Sequence, residues 1–257
     1  MSDMIKYAQD GGIATITINR PDSMNAFTSE MSLELQLALE KAGNDKSVRV
    51  VVLTGAGRCF SAGADLKSGF EGRPVSGKLQ FEYRPVITAI MMMPKPVIAA
   101  IPGSAAGIGM SVALSCDLLI MADDAFLLSP FTTISLLPDG GLNWLLVRQL
   151  GYRRAFQLSV ESERIGAQQC VDLGLANRAV PADELQSAAH DWARRISTRA
   201  PLSLAATKRA MRHAADHDWA SSFDLEAELQ SELVGSEDNI EGVQAFFEKR
   251  APEFKGK

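Results

Sequence analysis

The chain has 257 residues, 46% of them hydrophobic and 22% charged, a composition that excludes a disordered chain and supplies a large buried core. Its formal net charge is −5, and no basic stretch is interleaved with aromatic residues, so we expect no nucleic-acid partner. The acidic balance still allows a local site for an anionic ligand.

Cysteine usage and targeting patterns predict a cytoplasmic protein. Cys59, Cys116 and Cys170 are far apart and form no CxxC pair, which is typical of reduced thiols and not of a disulfide framework or a zinc site. The N-terminal stretch shows no basic segment followed by an apolar one, so no signal peptide is expected. No apolar run reaches about 18 residues, so we expect no membrane partner.

The first predicted elements are a strand, a helix and a second strand. The β-branched run Ile13–Ile18 predicts a strand. Apolar residues at helical spacing over 28–42 predict a helix, with Thr28 or Ser29 as its N-cap. The continuous apolar run 48–53 is typical of a strand that is covered on both faces.

The middle of the chain continues this alternation. Apolar runs at 96–101 and 118–121 predict two more strands, and a small-residue helix is expected between them, over about 105–115. Strands that alternate with helices predict an α/β fold with a largely buried sheet. The stretch 67–77, with three glycines and a proline, predicts a mobile surface loop.

From about residue 182 the pattern becomes helical. Pro201 suits a first helical turn, and the acidic run 236–238 suits the start of a later helix. One face of that later helix is apolar: Val243, Phe246 and Phe247. We therefore predict a core over residues 1–195 that carries the site, and a C-terminal helical region over 196–257 for oligomerisation.

Three glycine-bearing segments carry the candidate chemistry: 59–66, 103–111 and the turn 138–141. The segment 103–111 opens a helix, whose first amides lack intrahelical partners and suit an anion or oxyanion. It lacks the Gly-Lys-Ser/Thr of a P-loop, the GxGxxG spacing of a dinucleotide site and the GxSxG of a nucleophile elbow. Close packing of a small-residue helix against the sheet is the alternative explanation.

The order FSAGADL, PKPVIAAIPGSAAGIGMSVALSCDLLIMADD, SPFTTISLLPDGG resembles the crotonase, or enoyl-CoA hydratase/isomerase, superfamily and within it the isomerase-type members. The resemblance runs from about residue 5 to the C-terminus. It implies an α/β fold, a spiral of ββα units with C-terminal helices used in trimerisation. It also implies an acyl-CoA thioester as substrate, no cofactor beyond the coenzyme A that the substrate carries, and a homotrimer or dimer of trimers.

The resemblance also implies roles for single residues. The backbone amides of Ala64 and Ile108 are implied to hold the thioester oxygen. The implied substrate- and CoA-binding positions are Ala62, Gly63, Asp65, Leu66, Gly107 and Phe131. For Asp65, a loop-capping role is an equal alternative.

Two departures from the family pattern limit the reactions that the chain is expected to catalyse. Hydratases of the family position a water with two glutamates, and this chain has Ser111 and Phe131 at those positions. Phe131 cannot act as a general base. Asp139 remains, at the position where the isomerases carry an acidic residue. Because Pro-Asp-Gly is also a common turn sequence, a turn role is the alternative for Asp139.

A single carboxylate can serve as acid and base only if its surroundings strengthen it as a base. Burial is expected to raise the pKa of Asp139, and the expected apolar neighbours are Phe131, Leu136, Leu137 and Trp144. Amide donors at the enolate oxygen lower the remaining barrier. We predict an enoyl-CoA isomerase of the Δ3-Δ2 type. The alternatives are a ring-epoxide phenylacetyl-CoA isomerase, a hydratase-like enzyme and a non-catalytic acyl-CoA-binding member.

One spacing suggests a metal. His213 and His217 are four residues apart on a predicted helix, as two ligands of one ion would be. No acidic ligand cluster accompanies them in the sequence. A solvated helix face is therefore expected, and no metal site.

Overall fold

The computed structural model describes residues 3–67 and 74–257. These residues form ten strands: β1 (Ile5–Asp10), β2 (Ile13–Ile18), β3 (Val50–Gly55), β4 (Cys59–Ser61), β5 (Val97–Ile101), β6 (Ser104–Ala106), β7 (Leu118–Ala122), β8 (Phe126–Leu128), β9 (Ile165–Gly166) and β10 (Arg178–Val180).

The same residues form eleven α-helices: α1 (Ser29–Asn44), α2 (Val75–Lys78), α3 (Arg84–Met92), α4 (Ile108–Ser115), α5 (Leu142–Leu150), α6 (Tyr152–Glu161), α7 (Ala167–Asp172), α8 (Leu185–Ser197), α9 (Pro201–Ala214), α10 (Trp219–Leu233) and α11 (Glu237–Glu248). A π-helical turn, Leu79–Tyr83, joins α2 to α3. Three short 3₁₀ helices complete the set: Pro21–Ser23, Phe131–Ile134 and Ala182–Glu184. Residues 68–73 of the predicted loop 67–77 lie outside the described residues, and the prediction is wrong for 75–77, which form the start of α2.

The larger sheet has six strands in the order β1-β2-β3-β5-β7-β10. The β1–β2 pair is antiparallel, and every later pair is parallel. All residues of β3 and β5 are buried, as expected for parallel strands that are covered on both faces. The strands predicted from the apolar runs near residues 13, 48, 96 and 118 are confirmed, and so is the α/β class.

The smaller sheet has four strands in the order β4-β6-β8-β9. β4, β6 and β8 run parallel, and β9 is antiparallel to β8. This sheet corrects one prediction, because Ala105 and Ala106, placed at the start of a helix over about 105–115, belong to β6, and α4 begins only at Ile108. Small side chains allow these residues to pair between β4 and β8 before Gly107, with φ 55°, turns the chain into the helix.

The helices dock on the sheets through regularly spaced apolar residues. In α1 the side chains of Met31, Leu35 and Leu39 are buried, and the Thr28 hydroxyl accepts the Met31 amide at 3.2 Å, which confirms Thr28 as the N-cap. Pro201 begins α9 as predicted, and Ser236 caps α11. Among the described residues, no helix is both long enough and apolar enough to cross a membrane.

A partly buried ionic cluster ties α9 to the core. The Lys208 ammonium lies 2.7 Å from Asp117 Oδ2, and Arg212 donates to Asp117 Oδ1 at 2.9 Å. Lys208 also donates to the carbonyl of Ile90 at 2.8 Å, at the end of α3. These contacts anchor α9 to the core. The division of the chain into regions 1–195 and 196–257 stays a prediction.

Candidate active site

The loop that follows β4 is held by short backbone hydrogen bonds. The Phe27 amide donates to the Gly63 carbonyl at 2.7 Å, and the Asp65 amide donates to the Phe27 carbonyl at 2.9 Å. In this parallel bridge the amide of the intervening residue, Ala64, points away from Phe27. In the described part of the chain, it donates to no protein acceptor. The Ala64 amide is thus available to a ligand.

The second loop, before α4, lies directly against the first. A Cβ atom on Gly63 would be 3.1 Å from the Ala106 carbonyl oxygen and 3.6 Å from the Cα of Gly107, so the two chains approach as closely as glycine allows. Ile108 is the first residue of α4, and its amide has no partner within the helix. The structure therefore brings the two predicted amide donors onto adjacent loops at the positive end of a helix dipole.

Asp139 forms a turn through its backbone. Its carbonyl accepts the amide of Leu142 at 3.1 Å, and the two residues between them, Gly140 and Gly141, have φ of 61° and 80°. Two positive φ values in succession are the mark of a type I′ turn, which glycine tolerates. The turn therefore begins at Asp139, with Gly140 and Gly141 as its two central residues.

The carboxylate of Asp139 takes no part in that turn. It does not cap α5, which has no side-chain cap. Its Oδ1 is buried and has no hydrogen-bond partner in the described part of the chain. Burial raises the pKa of this carboxyl to about 6. A carboxylate that is partly desolvated and unpartnered is a stronger base than one in water.

The surroundings of Asp139 differ from the expected apolar enclosure. Phe131 is buried, and its ring Cζ lies 3.8 Å from the position of a Cβ on Gly107. Leu136 and Leu137, however, are 47% and 71% exposed, and Trp144 is 37% exposed. The 3₁₀ helix that begins at Phe131 ends at Ser135 in a left-handed conformation, after which both leucines lie at the surface. Their predicted part in burying Asp139 is wrong for the single chain.

Tyr83 is a buried residue that is close enough to Asp139 for an electrostatic interaction, and the sequence did not predict it. Its side chain is buried, and its ring meets the ring of Phe27 edge-on, with the centroids 6.4 Å apart. Burial, followed by the charges of Asp139 and Glu82, raises the pKa of the Tyr83 phenol. Tyr83 ends the π-helical turn, a rare element that is frequent at functional sites. In the sequence only a tyrosine before Arg-Pro marks this position, and that signal is weak.

The remaining predicted binding residues follow β4. Asp65 Oδ2 pairs with Arg20 at 3.1 Å, and Asp65 Oδ1 accepts the Lys67 amide at 3.0 Å, which is the loop-capping role. Ala62 and Leu66 are exposed, whereas Gly63 is buried. A contact of Ala62, Asp65 or Leu66 with coenzyme A stays a prediction.

The described residues contain no cluster of three or more His, Cys, Asp or Glu side chains that could hold a metal ion. The rings of His213 and His217 stack with centroids 3.6 Å apart. His213 Nε2 is hydrogen-bonded to the Ser221 hydroxyl at 3.0 Å, and His217 Nδ1 lies 2.9 Å from the His213 carbonyl oxygen. These contacts join the end of α9 to α10.

Comparison with known proteins identifies the family of the chain. Residues 8–257 match the model of the enoyl-CoA hydratase/isomerase family. A protein named probable enoyl-CoA hydratase from Rhodobacter capsulatus is 41% identical over 98% of both chains. The 1,2-epoxyphenylacetyl-CoA isomerase of Escherichia coli is 34% identical over the full length of both. The crystal structure of an enoyl-CoA hydratase from Bacillus anthracis superposes with a TM-score of 0.94 and 32% identity, covering 99% of this chain and all of the other.

Proposed function

Because the chain belongs to the enoyl-CoA hydratase/isomerase family and has its crotonase fold, we propose that it is an acyl-CoA isomerase that moves a double bond of an enoyl-CoA thioester. The amides of Ala64 and Ile108 hold the thioester oxygen, and Asp139 transfers the proton. The observation that carries this proposal is the buried, unpartnered Oδ1 of Asp139, on a carboxyl whose pKa is raised to about 6.

The proposed reaction is a 1,3-proton transfer. The Asp139 carboxylate takes a proton from C2 of a 3-enoyl thioester. The electron pair of that C–H bond becomes the C1–C2 double bond, and the π pair of the carbonyl moves onto its oxygen to give a dienolate. The Ala64 and Ile108 amides stabilise this oxygen, and each well-placed donor of this kind lowers the barrier by about 3–4 kcal/mol. The protonated carboxyl then returns the proton at C4, while the 3,4 double bond becomes the conjugated 2,3 double bond.

This chemistry needs no cofactor beyond the coenzyme A of the substrate, because a proton and two electron pairs move within one molecule. The two positions at which the resemblance implies water-holding glutamates are Ser111 and Phe131. The Ser111 hydroxyl donates to the Asp139 backbone carbonyl at 3.0 Å, and the side chain of Phe131 is apolar and buried. Neither is suited to activating a water, which favours proton transfer within the substrate over hydration.

Two relatives supply the competing candidates. The name of the Escherichia coli relative favours a ring-epoxide of phenylacetyl-CoA as substrate, since that enzyme is also an isomerase. The name of the Rhodobacter capsulatus relative favours hydration of a 2-enoyl-CoA. A third candidate is a protein that binds acyl-CoA thioesters without turnover.

A screen of acyl-CoA thioesters in deuterated water tests the proposal. We expect 3-enoyl-CoA to be converted to the 2-enoyl thioester and the Asp139→Asn variant to lose this conversion. Deuterium should enter C2 or C4 only in those turnovers in which the protonated carboxyl exchanges with solvent before it returns its proton. A 2-enoyl-CoA that gains the mass of one water would establish the hydratase instead. Turnover of only the aromatic epoxide would establish the second isomerase, and binding with neither conversion nor exchange would establish the non-catalytic candidate.

We also propose that the protein assembles as a homotrimer or a dimer of trimers. The support is an exposed apolar surface on α11, formed by Ile240, Val243, Phe246 and Phe247. The spacing of the three cysteines continues to favour a cytoplasmic location.

A further inference from the structure

We propose that Ser111 is a positioning residue: its hydroxyl holds the backbone of the Asp139 turn against the first turn of α4, whose Ile108 amide is the proposed donor to the thioester oxygen. The inference rests on the proposed role of Asp139 and extends it. It assigns a task to the residue that stands at one of the two implied glutamate positions.

The hydrogen bond of Ser111 is directed at the turn. Its Oγ lies 3.0 Å from the Asp139 carbonyl oxygen and 3.4 Å from the Gly107 carbonyl oxygen of its own helix. A hydroxyl has one proton to donate, and the shorter distance selects Asp139. Ser111 is fully buried, so water does not compete for this bond.

A second contact from the same face of the helix reinforces the first. Ile108 and Ser111 are three residues apart and therefore lie on one side of α4. A Cβ on Gly140 would be 2.5 Å from Ile108 Cδ1 and 3.1 Å from both Cβ and Oγ of Ser111. Two successive residues of the turn are therefore in contact with α4. Asp139 accepts the hydrogen bond of Ser111, and Gly140 is in van der Waals contact with Ile108 and Ser111.

These contacts with α4 orient the carboxylate of Asp139. Because Oδ1 of Asp139 has no hydrogen-bond partner in the described part of the chain, the direction of the side chain is set by its backbone. The Leu142 amide, at 3.1 Å, preserves the turn itself, but it belongs to α5 and does not link the turn to α4. Proton transfer is sensitive to small displacements between base and substrate, so the link to α4 should appear in kcat.

The test compares Ser111→Ala with Ser115→Ala. Ser115 lies one turn later on α4, is equally buried, and donates its hydroxyl to the Ser111 carbonyl at 2.7 Å, inside the helix. We expect Ser111→Ala to lower kcat for proton transfer roughly five- to tenfold, the effect of one hydrogen bond, and to leave KM within about twofold. Ser115→Ala should leave both parameters within about twofold. Ser111→Cys, of similar size but a weak donor, should lie between wild type and Ser111→Ala.

A measurement without turnover separates this inference from the proposed function. The titration of the Asp139 carboxyl is followed by ¹³C NMR in protein labelled at the aspartate side chain, with Asp139→Asn assigning the signal. In Ser111→Ala the loosened turn admits water, so the titration midpoint should fall toward the ordinary aspartate value, and in Ser115→Ala it should not. An unchanged midpoint in Ser111→Ala, or equal effects of both substitutions on kcat and titration, would overturn the positioning role. If wild type shows no proton transfer, the proposed isomerase is wrong, and the NMR comparison alone decides the role of Ser111.

Discussion

Gly140 packs so closely on Ile108 that a Cβ atom added to the glycine would lie 2.5 Å from Cδ1 of the isoleucine. Gly140 also has φ of 61°, a conformation that costs other residues about 1–2 kcal/mol. We therefore expect Gly140→Ala to lower the free energy of unfolding by about 2–4 kcal/mol, through strain and overpacking together. Urea denaturation would measure the loss.

Two further variants separate the clash from the strain. Gly141→Ala is the matched control, because Gly141 has φ of 80° but nothing lies within 4 Å of its added Cβ, so only strain is introduced. Ile108→Val removes Cδ1, and the double variant Ile108→Val/Gly140→Ala should recover part of the stability lost by Gly140→Ala. Equal losses in Gly140→Ala and Gly141→Ala would show that the contact with Ile108 is unimportant.

The pH dependence of the reaction should follow Asp139. The first step needs the ionised carboxylate, and the pKa of this carboxyl is about 6, so kcat/KM for 3-enoyl-CoA should fall as the pH drops through that value. Burial and the nearby charges of Asp139 and Glu82 raise the pKa of Tyr83, so the phenol stays neutral in this range. Asp139→Asn should reduce kcat by about 10²- to 10⁴-fold. Steady-state rates between pH 5 and 9 test both statements, and an acidic limb that persists in Asp139→Asn would assign it to another group.

The same burial predicts an effect on stability. A carboxyl whose pKa is higher in the folded state binds its proton more tightly there, so folding is favoured at low pH and this contribution is lost as the pH rises through about 6. Asp139→Asn removes the buried charge and should raise the thermal midpoint at pH 8 more than at pH 5. Scanning calorimetry at both values checks the sign, and a larger gain at pH 5 would contradict it.

How much of this fold the sequence predicts depends on strand length. Three strands of the larger sheet, β3, β5 and β7, contain continuous apolar runs, such as VVVLTG in β3, and these are readily recognised. The outer strands of the same sheet, β1 (IKYAQD) and the three-residue β10 (RAV), contain no such run and were not predicted. The smaller sheet has strands of two or three residues, CFS, SAA, FLL and IG, which are too short for any periodicity. Their pairing comes from tertiary contact, so the segment before α4 could only be placed by the structure.

The candidate site, like the fold, could be predicted from the sequence only in part. The glycines of the motifs indicate the close approach of the loops that carry the Ala64 and Ile108 amides, and the turn at Asp139, because Gly63, Gly107, Gly140 and Gly141 all have positive φ. The role of these groups as a site stays a prediction.

The packing around Asp139 could not be predicted from the residues next to it in the sequence. Leu136 and Leu137 are close to Asp139 in the sequence and yet exposed, whereas Tyr83 is far from it in the sequence and is buried. When a side chain approaches from another helix, the sequence around the residue that it approaches gives no sign of it.

The exposed surface on α11 leads to a prediction about assembly. Phe246 and Phe247 are 78% and 77% exposed, and large exposed apolar patches are typical of interfaces. We expect the wild-type chain to sediment as a trimer or hexamer, and the variant Phe246→Ser/Phe247→Ser to shift toward the monomer. Sedimentation equilibrium over a range of concentrations measures this, and an unchanged assembly would place the interface elsewhere.

The ionic cluster around Asp117 should matter more for stability than surface ion pairs do. Asp117 Oδ2 accepts the Val97 amide at 2.9 Å in addition to the Lys208 ammonium at 2.7 Å, and the side chain of Lys208 is 8% exposed. Removing one partner of a buried pair leaves an uncompensated charge, which costs about 3–5 kcal/mol. We therefore expect Asp117→Asn to be strongly destabilising in urea denaturation.

Two companion variants test whether the stability lost in Asp117→Asn comes from leaving the charges of Lys208 and Arg212 without their partner. Lys208→Met keeps the long apolar stem and leaves Asp117 with Arg212, so it should destabilise less than Asp117→Asn. Asp191→Asn is the surface control, because the Arg194–Asp191 pair is 64% and 57% exposed and such pairs contribute about 0–1 kcal/mol. If Asp117→Asn costs no more than Asp191→Asn, the cluster is not what anchors α9 to the core, and its stability must come from apolar packing instead.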